Sequence, residues 1–84
     1  MPTKAQHSAD YRPLPPLLRA LREEADLSQR DLGLRLKRPQ SWIYNCETGN
    51  RRVDVTEFIR WAQACDVGPK VAFNRLLKQL RRSG

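Results

Sequence analysis

Gln40, Ser41, Tyr44 and Asn45 are the side chains of this sequence best equipped for recognition chemistry. Amides, a hydroxyl and a phenol donate and accept in pairs, which is what reading the edge of a base pair requires. Their spacing, i, i+1, i+4 and i+5, puts all four on one face of a helix, while Ile43 and Cys46 fall on the opposite one and Trp42 at the boundary. Cations surround this face. Between residues 29 and 52 stand Arg30, Arg35, Lys37, Arg38, Arg51 and Arg52 against Asp31 and Glu47, a surplus of four out of the net charge of +7. Residues 70–84 carry Lys70, Arg75, Lys78, Arg81 and Arg82 and no acid, while 13–28 and 53–69 are slightly acidic. Two basic patches on such a body form the footprint of a polyanion partner.

Other chemistries find little support. The one histidine, His7, lies in a polar N-terminal arm, no glycine-rich phosphate loop occurs, and no carboxylate pair stands apart from helix caps and ion pairs. Neither an enzymatic activity nor a cofactor is expected. Cys46 and Cys65 occupy positions where apolar residues belong, so both read as reduced, buried thiols, and no four-ligand metal site can be built in the usual way from so few ligands. No apolar run approaches the roughly 20 residues of a membrane span. The first residues lack the apolar core of a signal peptide, which predicts a cytoplasmic protein.

With 84 residues, 39% hydrophobic and 30% charged, there is room for one small core. Residues 1–12 read as a disordered arm, 13–80 as the folded domain and 81–84 as a frayed basic tail. Prolines 13, 15 and 16 open a first helix over about 15–25 with Leu17, Leu18, Leu21 and Ala25 as its apolar stripe. Arg22 falls beside that stripe, an awkward place for a charge unless a carboxylate meets it. Ser28 is a suitable N-cap for a second helix to about Lys37, with Leu32 and Leu36 inward. Gly33 costs roughly 1 kcal/mol there relative to alanine, which a close helix–helix crossing would explain. A third helix runs from near Pro39 to Gly49, a plausible C′ glycine. Asp54 caps a fourth to Cys65 with Val55, Phe58, Ile59, Ala62 and Cys65 in the core, and Trp61 is also placed there. Pro69 starts a fifth, with Phe73, Leu76, Leu77 and Leu80 at i, i+3, i+4 and i+7. The absence of strand alternation predicts an all-α fold.

These residues resemble the phage repressor and Cro-type helix-turn-helix domains, the XRE family. The likeness runs over about residues 17–77 and is carried by Leu27-Ser28-Gln29, Leu32-Gly33, Leu36, Ile43, Glu47 through Arg52, and Ala62 through Pro69. It implies a compact five-helix bundle, lambda-repressor-like, whose second and third helices form the reading unit. It also implies that Gln29 holds a backbone phosphate, that Gln40 and Ser41, with Tyr44 or Asn45 one turn later, read bases in the major groove, and that Thr48, Asn50, Arg51 and Arg52 sit on the phosphate backbone. Glu47 would then pair with Arg22. Three departures stand out. Lys37-Arg38 replaces a glycine and a small apolar residue at the turn, Pro39 replaces the usual serine or threonine cap, and Leu34 and Trp42 are large and apolar. Arg38 either lays its stem over the core with its guanidinium on a phosphate or loosens the turn.

The resemblance implies a small bacterial or phage regulator, expected to be a repressor. It would bind double-stranded DNA sequence-specifically with residues 39–48 in the major groove, in the bacterial cytoplasm and on the nucleoid when bound. One such domain makes few base contacts, so a homodimer through Phe73, Leu76, Leu77 and Leu80 is expected. An antitoxin that holds a toxin protein, or an interaction module that has lost DNA binding, are the alternatives.

Overall fold

The computed structural model describes residues 9–83, and all its regular elements are helices: α1 Leu14–Glu24, α2 Gln29–Leu36, α3 Gln40–Glu47, α4 Val55–Ala64 and α5 Pro69–Ser83. α3 packs on α1 and α2, α2 also on α4, and α5 closes the bundle against α4 and α1. The helix starts follow local chemistry. Ser28 Oγ accepts the Asp31 amide at 3.0 Å while Asp31 accepts the Ser28 amide at 3.0 Å, and Asp54 and Glu57 make the same reciprocal pair at 2.8 and 3.0 Å. α3 begins after Pro39 without a side-chain cap.

Three helix exits share one device. The amides of Leu27, Arg38 and Val67 reach back five residues to the carbonyls of Arg22, Gly33 and Ala62, and the residue before each amide is left-handed: Asp26 at φ 59, Lys37 at φ 57 and Asp66 at φ 60. Leu27 and Val67 then pack against the core. At the α2–α3 turn the corresponding residue is Arg38, which folds onto Trp42 instead. A left-handed lysine is strained by roughly 1 kcal/mol. Lys37→Gly is therefore expected to stabilise the fold by about 0.5 kcal/mol after the greater freedom of glycine in the unfolded chain is subtracted. Thermal unfolding measures this as a rise of about 2–4 °C.

The core joins Leu14, Leu17, Leu18 and Leu21 of α1 to Leu32, Ile43, Cys46, Phe58, Trp61, Ala62, Cys65 and Ala72. Trp61 is fully buried and donates through Nε1 to the Leu18 carbonyl at 3.0 Å. Burial pushes both cysteine thiols up to about 11. They therefore stay protonated at neutral pH, and a disulfide reagent should label neither in the native chain and both once urea unfolds it.

Several expectations need correction. Val55 is 63% exposed, because as the first residue of α4 it points outward before the helix reaches the core. Residue 12 is too late a limit for the arm. Tyr11 is buried, its hydroxyl accepts the Val53 amide at 2.8 Å, and burial holds its phenol above the usual value. Residues 1–8 of that arm, with His7, and Gly84 lie outside the described residues. The backbone of the basic tail is helical through Ser83. Among the described residues no helix is long and apolar enough to cross a membrane, and no group of histidine, cysteine and carboxylate side chains could hold a metal.

Candidate nucleic-acid interface

Gln40, Ser41 and Tyr44 face solvent along α3, with Asn45 half-buried at the edge of the same face. Behind them runs a chain of polar contacts that begins in the core. Arg22 donates through Nε to Glu47 Oε2 at 2.6 Å, through Nη2 to Glu47 Oε1 at 3.0 Å and through Nη1 to the Leu27 carbonyl at 2.8 Å. Glu47 Oε1 also accepts from Gln29 Nε2 at 3.1 Å, and Gln29 Oε1 accepts from Gln40 Nε2 at 2.6 Å. The hydrogen bonds it donates to Glu47, and then the Glu47 charge, hold the Arg22 guanidinium above its ordinary pKa. The ion pair is almost out of solvent, with side-chain exposures of 11% for Arg22 and 3% for Glu47. It fixes α1 to the end of α3 and, through Gln29, orients the carboxamide of Gln40 at the surface.

The departures at the turn make a second device. Two guanidinium groups stand over the Trp42 ring, with Arg38 Cζ and Arg51 Cζ each 4.8 Å from its centroid. Glu57 accepts from Arg51 through both oxygens at 3.1 Å and stands 3.9 Å from Arg38. Burial would raise the Glu57 pKa, but the Arg51 hydrogen bonds and the Asp54 amide outweigh it and the net shift is downward. This clamp ties α3 to α4 where Pro39 offers no cap. Trp42 Nε1 is buried without a hydrogen-bond partner, beside a recess lined by Leu36, Arg38, Trp42, Glu57 and Arg60. Trp42 and Glu57 as positioning residues were not visible in the sequence, although Asp54 and Glu57 at capping spacing mark where Glu57 sits.

The cations divide accordingly. Arg51, expected on a phosphate, donates to both oxygens of Glu57 at 3.1 Å and to the Arg52 carbonyl at 2.7 Å. Arg35 is held by the Ala64 carbonyl at 2.7 Å and lies 3.6 Å from Asp66, and Arg75 pairs with Glu24 at 2.7 and 2.8 Å. Among the described residues Arg30, Lys37 and Arg52 form no ion pair and keep their charge available. Thr48 donates to the Tyr44 carbonyl at 2.9 Å, and Asn50 Nδ2 approaches Asn45 Oδ1 at 3.5 Å, so the exit of α3 is tied to its outer face. Gly49 takes φ 81 there, as a C′ glycine should. The glycine at the crossing is also explained. A Cβ on Gly33 would lie 2.6 Å from the Arg38 carbonyl oxygen, so it is the turn's own backbone, rather than a neighbouring helix, that demands glycine.

Two short helices, a three-residue turn and an outward polar face on the second define a helix-turn-helix protein. The family model of the helix-turn-helix domain matches residues 16–76. Among solved structures the chain is similar to an XRE-family like protein from Pseudomonas syringae pv. tomato str. DC3000, at 35% identity and a TM-score of 0.78 over 92% of this chain and 94% of that one. The chain thus belongs to the XRE-type helix-turn-helix domains. No curated protein matches it.

Proposed function

We propose that this chain is a sequence-specific, double-stranded DNA-binding regulator that acts as a repressor, with α3 in the major groove. The observation that carries this reading is the uncharged polar row Gln40, Ser41, Tyr44 and Asn45, facing outward on α3 and backed by the Gln29–Gln40 hydrogen bond. These four read base edges. Gln29, Arg38, Thr48, Asn50 and Arg52 set register on the phosphates, while Arg51 supports them from its ion pair with Glu57. Neither catalysis nor a cofactor belongs to this reading, and the site of action is the bacterial cytoplasm.

Useful affinity comes from a homodimer through the outer side of α5, centred on the exposed Leu77 with the half-buried Leu80 beside it, while Phe73 and Leu76 of the same helix pack inward. Its two reading helices lie about 34 Å apart, one turn of the duplex. A second reading, an antitoxin, is favoured by one observation: Leu34 on α2 is 80% exposed, an apolar side chain suited to a protein partner.

Selection of bound sequences from a random DNA pool, followed by mobility shift on the selected site, tests the proposal. The absence of any enriched sequence at low salt would sink it. Two substitutions test the division of labour. Gln40→Ala should reduce discrimination at one base pair by about 1–3 kcal/mol, whereas Arg52→Ala should weaken all sequences alike and lower the salt slope by about one. Identical behaviour of the two variants would refute it.

A further inference from the structure

We infer that Tyr11, which lies outside the residues matched by the helix-turn-helix model, is a positioning residue for Arg52 and holds its guanidinium ready for a DNA phosphate. The inference rests on the phosphate role proposed for Arg52. Arg52 Cζ lies 5.0 Å from the centroid of the Tyr11 ring. That ring is itself immobilised, because it is buried in the core and its hydroxyl accepts the amide of Val53, the residue that follows Arg52. On the other side the Arg52 carbonyl accepts from Arg51 Nη1 at 2.7 Å, and Arg51 is anchored on Glu57. Backbone and side chain of Arg52 are thus fixed from three directions by groups that carry no negative charge against its guanidinium.

The choice of partner matters chemically. A carboxylate would have to be given up, at least in part, when a phosphate arrives. An aromatic face attracts the cation through its quadrupole and leaves the guanidinium edges, with their N–H donors, open. The ring therefore reduces the side-chain freedom that arginine would otherwise lose on binding, without neutralising it. Neighbouring Arg51 shows the opposite arrangement, since both Glu57 oxygens occupy its N–H edge. Tyr11 thereby assigns the phosphate contact to one arginine of an adjacent pair.

A double-mutant cycle on the selected DNA site tests this, with the full chain and the variants Tyr11→Leu, Arg52→Ala and the two combined. Tyr11→Leu should weaken binding about three-fold in the wild-type background, the worth of one exposed cation–π contact, and not at all once Arg52 is alanine. Tyr11→Phe keeps the ring and loses the Val53 bond, so it should lower the melting temperature while affinity stays within two-fold. Equal losses from Tyr11→Leu in both backgrounds would mean a purely structural role and overturn the inference. If Arg52→Ala leaves binding unchanged, the phosphate role of Arg52 fails and the inference falls with it. Should Tyr11→Leu not fold, the wild-type chain still decides: the Arg52 side-chain protons must show upfield ring-current shifts by NMR, and ordinary shifts would refute the stacking.

Discussion

Glu47→Ala is expected to destabilise the chain by about 3–5 kcal/mol, read from the midpoint of urea unfolding. The substitution leaves the Arg22 guanidinium, 11% exposed, with the Leu27 carbonyl as its remaining strong acceptor. It also releases Gln29, and with it the orientation of Gln40. A domain of this size holds roughly 5–15 kcal/mol in all, so the loss is a large share of the total. Removing both charges is different. Arg22→Met combined with Glu47→Leu leaves no buried unpaired ion and should recover most of the stability. It should not recover sequence discrimination, because the contact that aims Gln29 is gone. A single-variant loss below about 1 kcal/mol would show that water reaches the pair.

Gly33→Ala carries the second large effect, and its sign separates two arguments. Helix propensity alone would make alanine better by about 1 kcal/mol. Against that stands the Arg38 carbonyl oxygen, 2.6 Å from where the new Cβ would lie. This atom belongs to backbone and cannot swing aside as a side chain would. Its own residue is tied to Gly33 by the Arg38 amide, which donates to the Gly33 carbonyl at 2.8 Å. The turn must therefore open, and a net destabilisation of about 2 kcal/mol is expected, seen as a fall of about 8–16 °C in melting temperature. Opening the turn also shifts α3, and Trp42 with it, relative to Arg38 and Arg51, so DNA affinity should fall even at temperatures where the variant is folded. A neutral or stabilised Gly33→Ala would contradict the close approach.

Most of the helical framework was legible because it is written in local chemistry. Ser28 with Asp31, Asp54 followed by Glu57, Gly49 and Pro69 each act within a few residues, and the apolar spacing of Leu17, Leu18 and Leu21 needs only the helical period. The outward face of α3 was legible for the same reason. What escaped depends on distant partners. Arg51 and Arg52 are adjacent and alike in sequence, and only the position of Glu57 under one and Tyr11 under the other separates them. Tyr11 itself stands alone in a polar stretch with no period to place it. Val55 shows the converse limit, since it fits the apolar period yet lies at the very start of its helix, where the bundle does not reach. The cost of Gly33 can be read from the helical pattern, but its reason lies in a turn whose left-handed lysine no pattern announces.

The placement of the two indoles equips the chain with its own optical reporter. Trp61 is sealed in the core, whereas Trp42 lies on α3 within 4.8 Å of two guanidinium groups, and the ring centroids are 6.2 Å apart at a tilt of 37°. Excitation passes readily between rings at that separation, so the emission of the pair follows whichever indole meets the more polar surroundings. Any ligand that draws Arg38 away from the Trp42 face alters that emission while leaving Trp61 untouched, and unfolding alters both. Binding and folding of the unlabelled chain can therefore be told apart in a single fluorescence titration, with Trp42→Phe as the control that silences the first signal and keeps the second.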